Sequence, residues 1–189
     1  MEVDQAGVDE RMLEIEKKYR LSAERRDALA AALQKIGAIF AGEDFEANTI
    51  YGGDALGDGA IVRIRKTQDR SLLTFKRMVE NQTDVKHQIE HETKISNADA
   101  AARMLSELGL RARLVYEKKR SIWKFRNVEI VLDELPFGLF MEIEGSITGI
   151  KEAEMLLGIK DLETEHETYP RLTARFGKRV DETIEARFT

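Results

Sequence analysis

The sequence contains no cysteine and only three histidines. Without cysteine there is no disulfide framework, no thiolate zinc site and no cysteine nucleophile. Three histidines that share no ligand spacing also disfavour a histidine metal centre. Any metal site in this chain is therefore expected to hold a hard cation through oxygen ligands.

Proline and long apolar runs are also scarce. Only two prolines occur, Pro136 and Pro170, and no Gly/Ser/Pro-rich linker divides the chain. We therefore predict a single domain over 1–189 with an organised core at about 12–177. No run approaches the roughly 18 apolar residues of a membrane span, and the N-terminus lacks an apolar signal segment. We expect a cytoplasmic protein with no membrane partner.

Net positive charge is absent as well. The chain has 30 Lys plus Arg against 35 Asp plus Glu, a formal net charge of −5. This balance disfavours a general nucleic-acid binder, so we expect no nucleic-acid partner. Charged residues nevertheless make up 34% of the chain, against roughly 25% in an average domain. The extra charge of both signs calls for an explanation within the fold.

Hydrophobic periodicity predicts a mainly β protein with three helices in the connections. The helices lie between a capping residue and a closing glycine, at Ser22 to Gly37, Ser96-Asn97 to Gly109, and Thr148 to Gly158. Period-two alternation predicts strands at 12–19, 38–51, 60–66, 71–78, 87–95, 111–119, 120–125, 128–134 and 139–145. The residues after Gly177 and before about residue 11 are expected to be loosely docked tails.

The predicted strands pair an apolar face with a charged one. Arg63 and Arg65 share a face of one strand, and Glu14, Glu16 and Lys18 share a face of another. An antiparallel sheet with its charged face in water is the common arrangement. The alternative is a closed sheet whose charged face lines a lumen. We favour the lumen because these positions are almost only Arg, Lys, Glu and Asp, rather than the mixed polar residues of a solvent face.

A faint internal repeat accompanies this pattern. Glu14-x-Glu16-x-Lys18 precedes one predicted helix, and the similar Glu90-x-Glu92-x-Lys94 precedes the next. Two similar halves related by a pseudo-two-fold axis would produce such a repeat. The acidic positions also fall mainly at the two ends of the chain order, with the basic ones between them. Acidic and basic charge would thus segregate in the lumen if the first and last strands were neighbours.

The charges of the proposed lumen need partners, because unpaired charges in a confined site cost several kcal/mol each. Arginines and lysines in this number suit a chain of phosphates. Carboxylates suit Mg²⁺ or Mn²⁺, which prefer oxygen ligands shared with phosphate and water. The predicted lumen set is basic Lys18, Arg63, Arg65, Lys76, Lys118 and Arg120, with acidic Glu14, Glu16, Glu90, Glu92, Asp133, Glu142 and Glu144.

In order and approximate spacing, these residues resemble the CYTH domain, the superfamily of triphosphate tunnel metalloenzymes. The resemblance implies an α+β, mainly β fold in which an eight-stranded antiparallel β-barrel forms a triphosphate tunnel with helices packed outside. It also implies that phosphates bind to Lys18, Arg63, Arg65, Lys76, Lys118 and Arg120. Mg²⁺ or Mn²⁺ would bind to Glu14, Glu16, Asp133, Glu142 and Glu144. Glu14, Glu16 and Lys18 are the residues implied to carry catalysis.

The family includes enzymes of two reaction types, so the resemblance leaves the reaction open. The primary hypothesis is divalent-metal-dependent hydrolysis of inorganic triphosphate or a small organic or nucleoside triphosphate, because the sequence shows no adenine pocket. The alternatives are a class IV adenylate cyclase, which makes cyclic AMP and pyrophosphate from ATP, and a non-catalytic polyphosphate-binding module. Residues 46–51 match the cyclases only in part. The resemblance also leaves a homodimer open.

Overall fold

The computed structural model describes residues 13–79 and 86–189. The chain is mainly β, with 51% strand and 25% helix. Ten strands occur, β1 Leu13–Leu21, β2 Ile39–Gly52, β3 Ala60–Lys66, β4 Ser71–Val79, β5 Lys86–Ile95, β6 Arg111–Phe125, β7 Val128–Leu135, β8 Gly138–Gly145, β9 Lys178–Val180 and β10 Thr183–Ala186. Four helices accompany them, α1 Ala23–Lys35, α2 Ala98–Glu107, α3 Ile147–Leu157 and α4 Tyr169–Phe176.

Eight of the strands close into a ring. Their order is β2-β3-β4-β5-β1-β8-β7-β6, and β6 pairs back to β2. All eight pairings within the ring are antiparallel. The predicted fold class, a mainly β protein with a closed eight-stranded antiparallel sheet, is therefore confirmed. Closure leaves the ring without free edges and separates an inner face from an outer one.

The connectivity of the ring repeats. The first half runs β1-α1-β2-β3-β4, and the second runs β5-α2-β6-β7-β8. If β1 to β4 are exchanged with β5 to β8, each for its counterpart, the strand order of the ring is read in reverse. The two halves join where β1 pairs with β5 and where β2 pairs with β6. The strand pairing thus has the two-fold pattern that the short sequence repeat predicts.

The first two helices begin where predicted and the third does not. Ser22 and Asn97 accept hydrogen bonds from backbone N–H groups of α1 and α2, as N-cap residues do. The N-cap residue of the third helix is Ser146 rather than Thr148, and its side chain accepts the N–H of Gly149. Helix α4 was not predicted; Thr168 caps it and Pro170 occupies its first turn.

The C-terminal prediction was wrong. Residues after Gly177 are not a loose tail, since β10 pairs in parallel with β6 and in antiparallel with β9. Ala186 is buried there. The strands predicted at 111–119 and 120–125 are also one continuous strand, β6. The expected tail before residue 11 lies outside the described residues.

The apolar core lies outside the ring, between sheet and helices. Leu29 and Leu33 of α1 and Ile150 of α3 pack on apolar side chains of the sheet, including Trp123. Leu105 of α2 covers a second apolar cluster. A third apolar cluster, which includes Ile50 and Tyr116, packs against α4 on the cavity side. Among the described residues, no helix has the length and hydropathy needed to cross a membrane.

Candidate functional site

The ring encloses a cavity of about 410 Å³. The cavity walls carry all six predicted phosphate-binding cations and four of the five predicted metal ligands. The fifth, Asp133, lies behind the wall and is completely buried. The predicted residues on the wall are Lys18, Arg63, Arg65, Lys76, Lys118, Arg120, Glu14, Glu16, Glu142 and Glu144, and the wall also carries the charged residues Glu129 and Arg171. The charged faces of the strands therefore line a lumen.

Strand alternation and register position these side chains. Residues two apart on a strand project to the same face, which places both Arg63 and Arg65 inside. The first strand of the ring pairs with the last, so that Glu16 lies opposite Glu144 and Lys18 opposite Glu142. The acidic residues near the start and the end of the strand order are therefore brought together, as expected, by the pairing of β1 with β8.

A buried glutamate organises one part of the cation cluster. Glu46 of β2 is 2% exposed, and its Oε2 lies 3.2 Å from Lys118 Nζ and 3.4 Å from Arg65 Nε. Burial alone would raise the pKa of Glu46, but Lys118, Arg120 and Arg65 lower the pKa well below its usual range. Glu46 therefore remains ionised and holds these cations together.

Arg120 is the most heavily paired cation. Its Nε and Nη2 donate to the two carboxylate oxygens of Asp133 at 2.7 and 2.6 Å, and Nη2 also donates to Glu142 at 2.6 Å. Burial lowers the pKa of Arg120, but Asp133, Glu46 and Glu142 outweigh it and raise the pKa well above its usual value. The guanidinium group is thus fixed by a bidentate ion pair.

Arg63 and Arg65 retain unused donors. The Nε groups of both side chains are buried and make no hydrogen bond within the described part of the chain. Buried N–H groups without acceptors are costly and therefore rare. Both arginines line the cavity, so an anion there could supply oxygen acceptors to them.

Glu90 and Glu92 act as counter-ions in this structure. Glu90 lies 2.5 Å from Lys76 Nζ and 3.7 Å from Arg63 Nη2. Glu92 lies 3.5 Å from Arg63 Nη2 and accepts a hydrogen bond from Thr74 at 2.9 Å. These contacts favour a role for Glu90 and Glu92 in orienting basic side chains rather than in binding metal.

Lys18 is a buried cation in an unusual setting. Its Nζ lies 3.3 Å from Glu142 and donates to the backbone carbonyl of Glu167 at 3.1 Å. Burial lowers the pKa of Lys18 to about 8; Glu142 opposes this shift, and nearby Lys86 adds to it. The ammonium group is therefore held at a higher energy than in water, and a bound anion would stabilise it.

The acidic part of the cavity is centred on Glu144. The Oε2 atom of Glu14 accepts hydrogen bonds from Lys76 at 2.7 Å and Gln88 at 2.6 Å, and Glu16 lies 3.2 Å from Lys86. In the described residues, Glu144 has no such ion pair. Burial, together with the charges of Glu14, Glu129 and Glu16, raises the pKa of Glu144 to about 8.

The donor chemistry of this acidic group fits a divalent cation. Glu14, Glu16 and Glu144 offer only oxygen ligands, and their mutual repulsion is what a divalent cation would relieve. No three acidic or histidine side chains in residues 13–79 and 86–189 are grouped so as to hold a metal ion; Glu14 and Glu16 are instead paired with Lys76 and Lys86. Asp133 and Glu142 are paired with other cations, so their predicted role as metal ligands stays a prediction.

The pKa of Glu144 predicts a pH-dependent stability in metal-free buffer. The folded protein keeps this carboxyl protonated up to about pH 8, whereas the unfolded chain releases the proton near 4.5. Its contribution to stability is therefore complete below about pH 4.5 and is lost as the pH rises to about 8.

Urea unfolding with a chelator present, from pH 4.5 to 9, checks this prediction. The free energy of unfolding should fall with pH more steeply in wild type than in Glu144→Gln, which cannot ionise. Parallel pH profiles for the two proteins would show that Glu144 ionises normally.

Several site residues were missed by reasoning from sequence. Lys86 falls just before the predicted strand, and Gln88 is uncharged and so did not stand out. Glu46 lies in a strand whose alternation, with Asp44 and Asn48 on the same face, was a usable signal. The polar wall residues missed include Gln88, Tyr116, Glu129 and Arg171, and the contacts behind the wall add Glu46 and Lys86.

Comparison with known proteins agrees with this geometry. The model of the CYTH domain family matches residues 12–169. A search of curated protein sequences found no match.

Solved structures share the fold. The PH1012 protein from Pyrococcus horikoshii is 24% identical with a TM-score of 0.74, covering 84% of this chain and 98% of its own. A candidate adenylyl cyclase from Hippeastrum, described as revealing a dominant triphosphatase activity, is 20% identical with a TM-score of 0.63, covering 89% and 98%. The Schizosaccharomyces pombe RNA triphosphatase Pct1 is 15% identical with a TM-score of 0.51, covering 87% and 82%.

Proposed function

The chain belongs to the CYTH domain family, and from this we propose that it is a divalent-metal-dependent enzyme that hydrolyses a triphosphate bound inside the ring. Family members among its structural neighbours are triphosphatases and candidate adenylyl cyclases, which supports an enzyme in general. The substrate we propose is inorganic triphosphate or a small organic or nucleoside triphosphate.

The observation that carries this proposal is the convergence of six cations on one cavity. Two of them, Arg63 and Arg65, have buried Nε–H groups that form no hydrogen bond within the described residues, although Arg65 Nε lies 3.4 Å from Glu46. A linear triphosphate presents a row of anionic oxygens that can accept from several arginines and lysines at once. Such a ligand would satisfy the unused donors and offset the positive charge.

The family generally depends on a metal, and the acidic group supplies candidate ligands. We assign Mg²⁺ or Mn²⁺ to Glu14, Glu16 and Glu144, whose oxygen chemistry suits these ions. When bound, such an ion would supply Lewis acidity and neutralise phosphate charge. Glu14 and Glu16 would have to turn from Lys76 and Lys86, which would free these lysines to approach phosphate.

The protein's own part in the reaction is binding and orientation. Arg63 and Arg65 project in parallel from β3 and would hold phosphate oxygens in a fixed direction. Lys18, with its ammonium group already desolvated, would stabilise negative charge developing beside it. Lys18, Arg63 and Lys118 are each buried in the cavity wall, so their interactions with a bound anion are less screened by water than at an open surface.

Adenylate cyclase is a second candidate, favoured by a different part of the cavity. Its lining includes the apolar side chains of Ile61, Met78 and Pro170 beside the charged wall. An inorganic triphosphate has no group that would contact these side chains, whereas a nucleoside has. Hydrolysis and cyclisation use the same phosphate contacts, so the products must decide between them.

The test supplies purified protein with tripolyphosphate, ATP and thiamine triphosphate separately, with Mg²⁺ or Mn²⁺, and quantifies phosphate, pyrophosphate and cyclic AMP. Phosphate release supports the hydrolase. Formation of cyclic AMP and pyrophosphate from ATP would instead show an adenylate cyclase. If the protein binds tripolyphosphate but forms no product from any substrate, it is a non-catalytic polyphosphate-binding module.

Replacing Arg65 by alanine should weaken tripolyphosphate binding by about 1.5–3 kcal/mol, because it removes charge-assisted hydrogen bonds. Calorimetric titration of tripolyphosphate, with a chelator to exclude metal, measures this loss. Lys66→Ala is the matched control, since Lys66 neighbours Arg65 but pairs with exposed Asp99. Equal affinities for Arg65→Ala and wild type would remove Arg65 from the phosphate site.

A further inference from the structure

Helix α4 is not part of the ring, yet its first residue reaches the cation cluster. Tyr169 is 6% exposed and lines the cavity. Its hydroxyl group donates to Asp133 Oδ2 at 2.8 Å, the same oxygen that Arg120 Nη2 contacts at 2.6 Å. The tyrosine therefore completes the contacts of the carboxylate that fixes Arg120.

The aromatic ring of Tyr169 makes a second kind of contact. Lys18 Nζ lies 3.8 Å from the ring centroid, and Lys118 Nζ lies 5.3 Å from it. Both distances are within reach of a cation–π interaction, which is strengthened when the cation is desolvated. Lys18 and Lys118 are each buried. One ring thus stands beside two lysines that come from opposite parts of the sheet, β1 and β6.

A purely structural role for Tyr169 does not account for these contacts. The ring does pack against Phe140, with 5.5 Å between centroids, and phenylalanine or leucine could supply that apolar contact. Leu172, one turn later in α4, is completely buried and anchors the helix independently. The hydroxyl group and the ring face are instead directed at charged residues of the cavity.

We propose that Tyr169 is a positioning residue that acts in two ways. Through its hydroxyl group it fixes Asp133, and through Asp133 the guanidinium group of Arg120. Through its ring face it fixes the ammonium groups of Lys18 and Lys118. The inference rests on the proposed function only in taking these cations to be the phosphate-binding set.

The two roles are separated by two variants. Tyr169→Phe keeps the ring and removes only the hydroxyl group, and Tyr169→Leu removes the ring face as well. The first readout is the dissociation constant for tripolyphosphate with a chelator present, which reports on the cations without metal. The second readout is the pair of kinetic constants KM and kcat measured with Mn²⁺, and the third readout is the melting temperature.

Loss of a hydrogen bond to a charged group should raise the dissociation constant of Tyr169→Phe about tenfold. Tyr169→Leu should raise it about fivefold further by losing the cation–π contacts. KM should rise with the dissociation constant. The matched control is Tyr51→Phe, since Tyr51 is buried in the cluster under α2, and it should bind as wild type does.

A double-mutant cycle identifies the route of the effect. If the hydroxyl group acts through Asp133, adding Tyr169→Phe to Asp133→Asn should change the dissociation constant less than twofold. Fully additive effects would contradict this route. Dissociation constants within twofold of wild type for both Tyr169 variants would overturn the proposal, as would weaker binding explained by unfolding. If Tyr169→Leu does not fold, Tyr169→Phe and the cycle decide.

Failure of the proposed function is distinguishable from failure of this inference. A wild-type protein that binds tripolyphosphate but releases no product contradicts hydrolysis, and the dissociation constants still test Tyr169. A wild-type protein that binds no tripolyphosphate contradicts both. An active wild type with unaltered Tyr169 variants contradicts the inference alone.

Discussion

Replacing Glu144 by glutamine should lower metal-dependent phosphate release at least about a hundredfold while leaving tripolyphosphate bound as tightly as in wild type. The negative charges of Glu14, Glu129 and Glu16 all repel the ionised carboxylate of Glu144 and raise its pKa. Among the described residues it has no ion pair that would compete with a metal. Glutamine keeps the size of the side chain but lacks the charge that a divalent cation needs.

Measurement of both quantities on the same preparation makes this result specific. Steady-state phosphate release gives the turnover, and calorimetry with a chelator gives the affinity for tripolyphosphate. Glu134→Gln is the matched control, because Glu134 lies on the neighbouring strand and pairs with Lys119, whose side chain is 52% exposed. Full phosphate release by Glu144→Gln would show that Glu144 is not a metal ligand. Loss of both phosphate release and tripolyphosphate binding would indicate a folding defect instead.

Replacing Arg120 by methionine should lower the free energy of unfolding by about 3–5 kcal/mol at pH 7. Arg120 donates to Asp133 through two nitrogens and also to Glu142, and its side chain is only 14% exposed. Methionine would remove the bidentate partner of Asp133 and one of the two cations that contact Glu142, leaving Lys118 at 3.5 Å from Asp133 and Lys18 at 3.3 Å from Glu142. The cost is that of two buried anions left with fewer contacts rather than of the lost attraction alone.

Urea unfolding of three proteins tests this prediction. Lys119→Met, at the adjacent position on the opposite face of β6, removes an exposed pair and should cost less than about 1 kcal/mol. Arg120→Lys keeps the charge but loses the bidentate geometry, so its stability should fall between the other two. A loss below about 1 kcal/mol for Arg120→Met would show that Arg120 is not needed to neutralise the buried carboxylates.

Alternation along the strands, together with the almost exclusively charged residues on one face, was enough to favour a lumen and to predict its cations. Arg63 and Arg65 must share a face if β3 is a strand, but alternation alone would equally allow that face to lie in water. Ion-pair partners could not be predicted in the same way. The pairing of Lys18 with Glu142 depends on the register of β1 against β8, which joins residues far apart in sequence.

The misses share a physical cause, which is dependence on distant contacts. Strand β10 has only four residues and is stabilised by parallel pairing with residues 114–116 near the start of β6, so local alternation carries little signal. Helix α4 has eight residues, about two turns, and its Tyr169 packs against Phe140 of β8. Glu46 is a single buried acid whose role appears only when β2 closes against β6.

The most direct test of the central claim is the release of phosphate from tripolyphosphate by the wild-type protein, with Mg²⁺ or Mn²⁺ and again with an excess of chelator. The account predicts steady release with metal and none with chelator, alongside tight binding in both conditions. No release with either metal would contradict hydrolysis, and no binding in either condition would contradict the assignment of the six cations to phosphate.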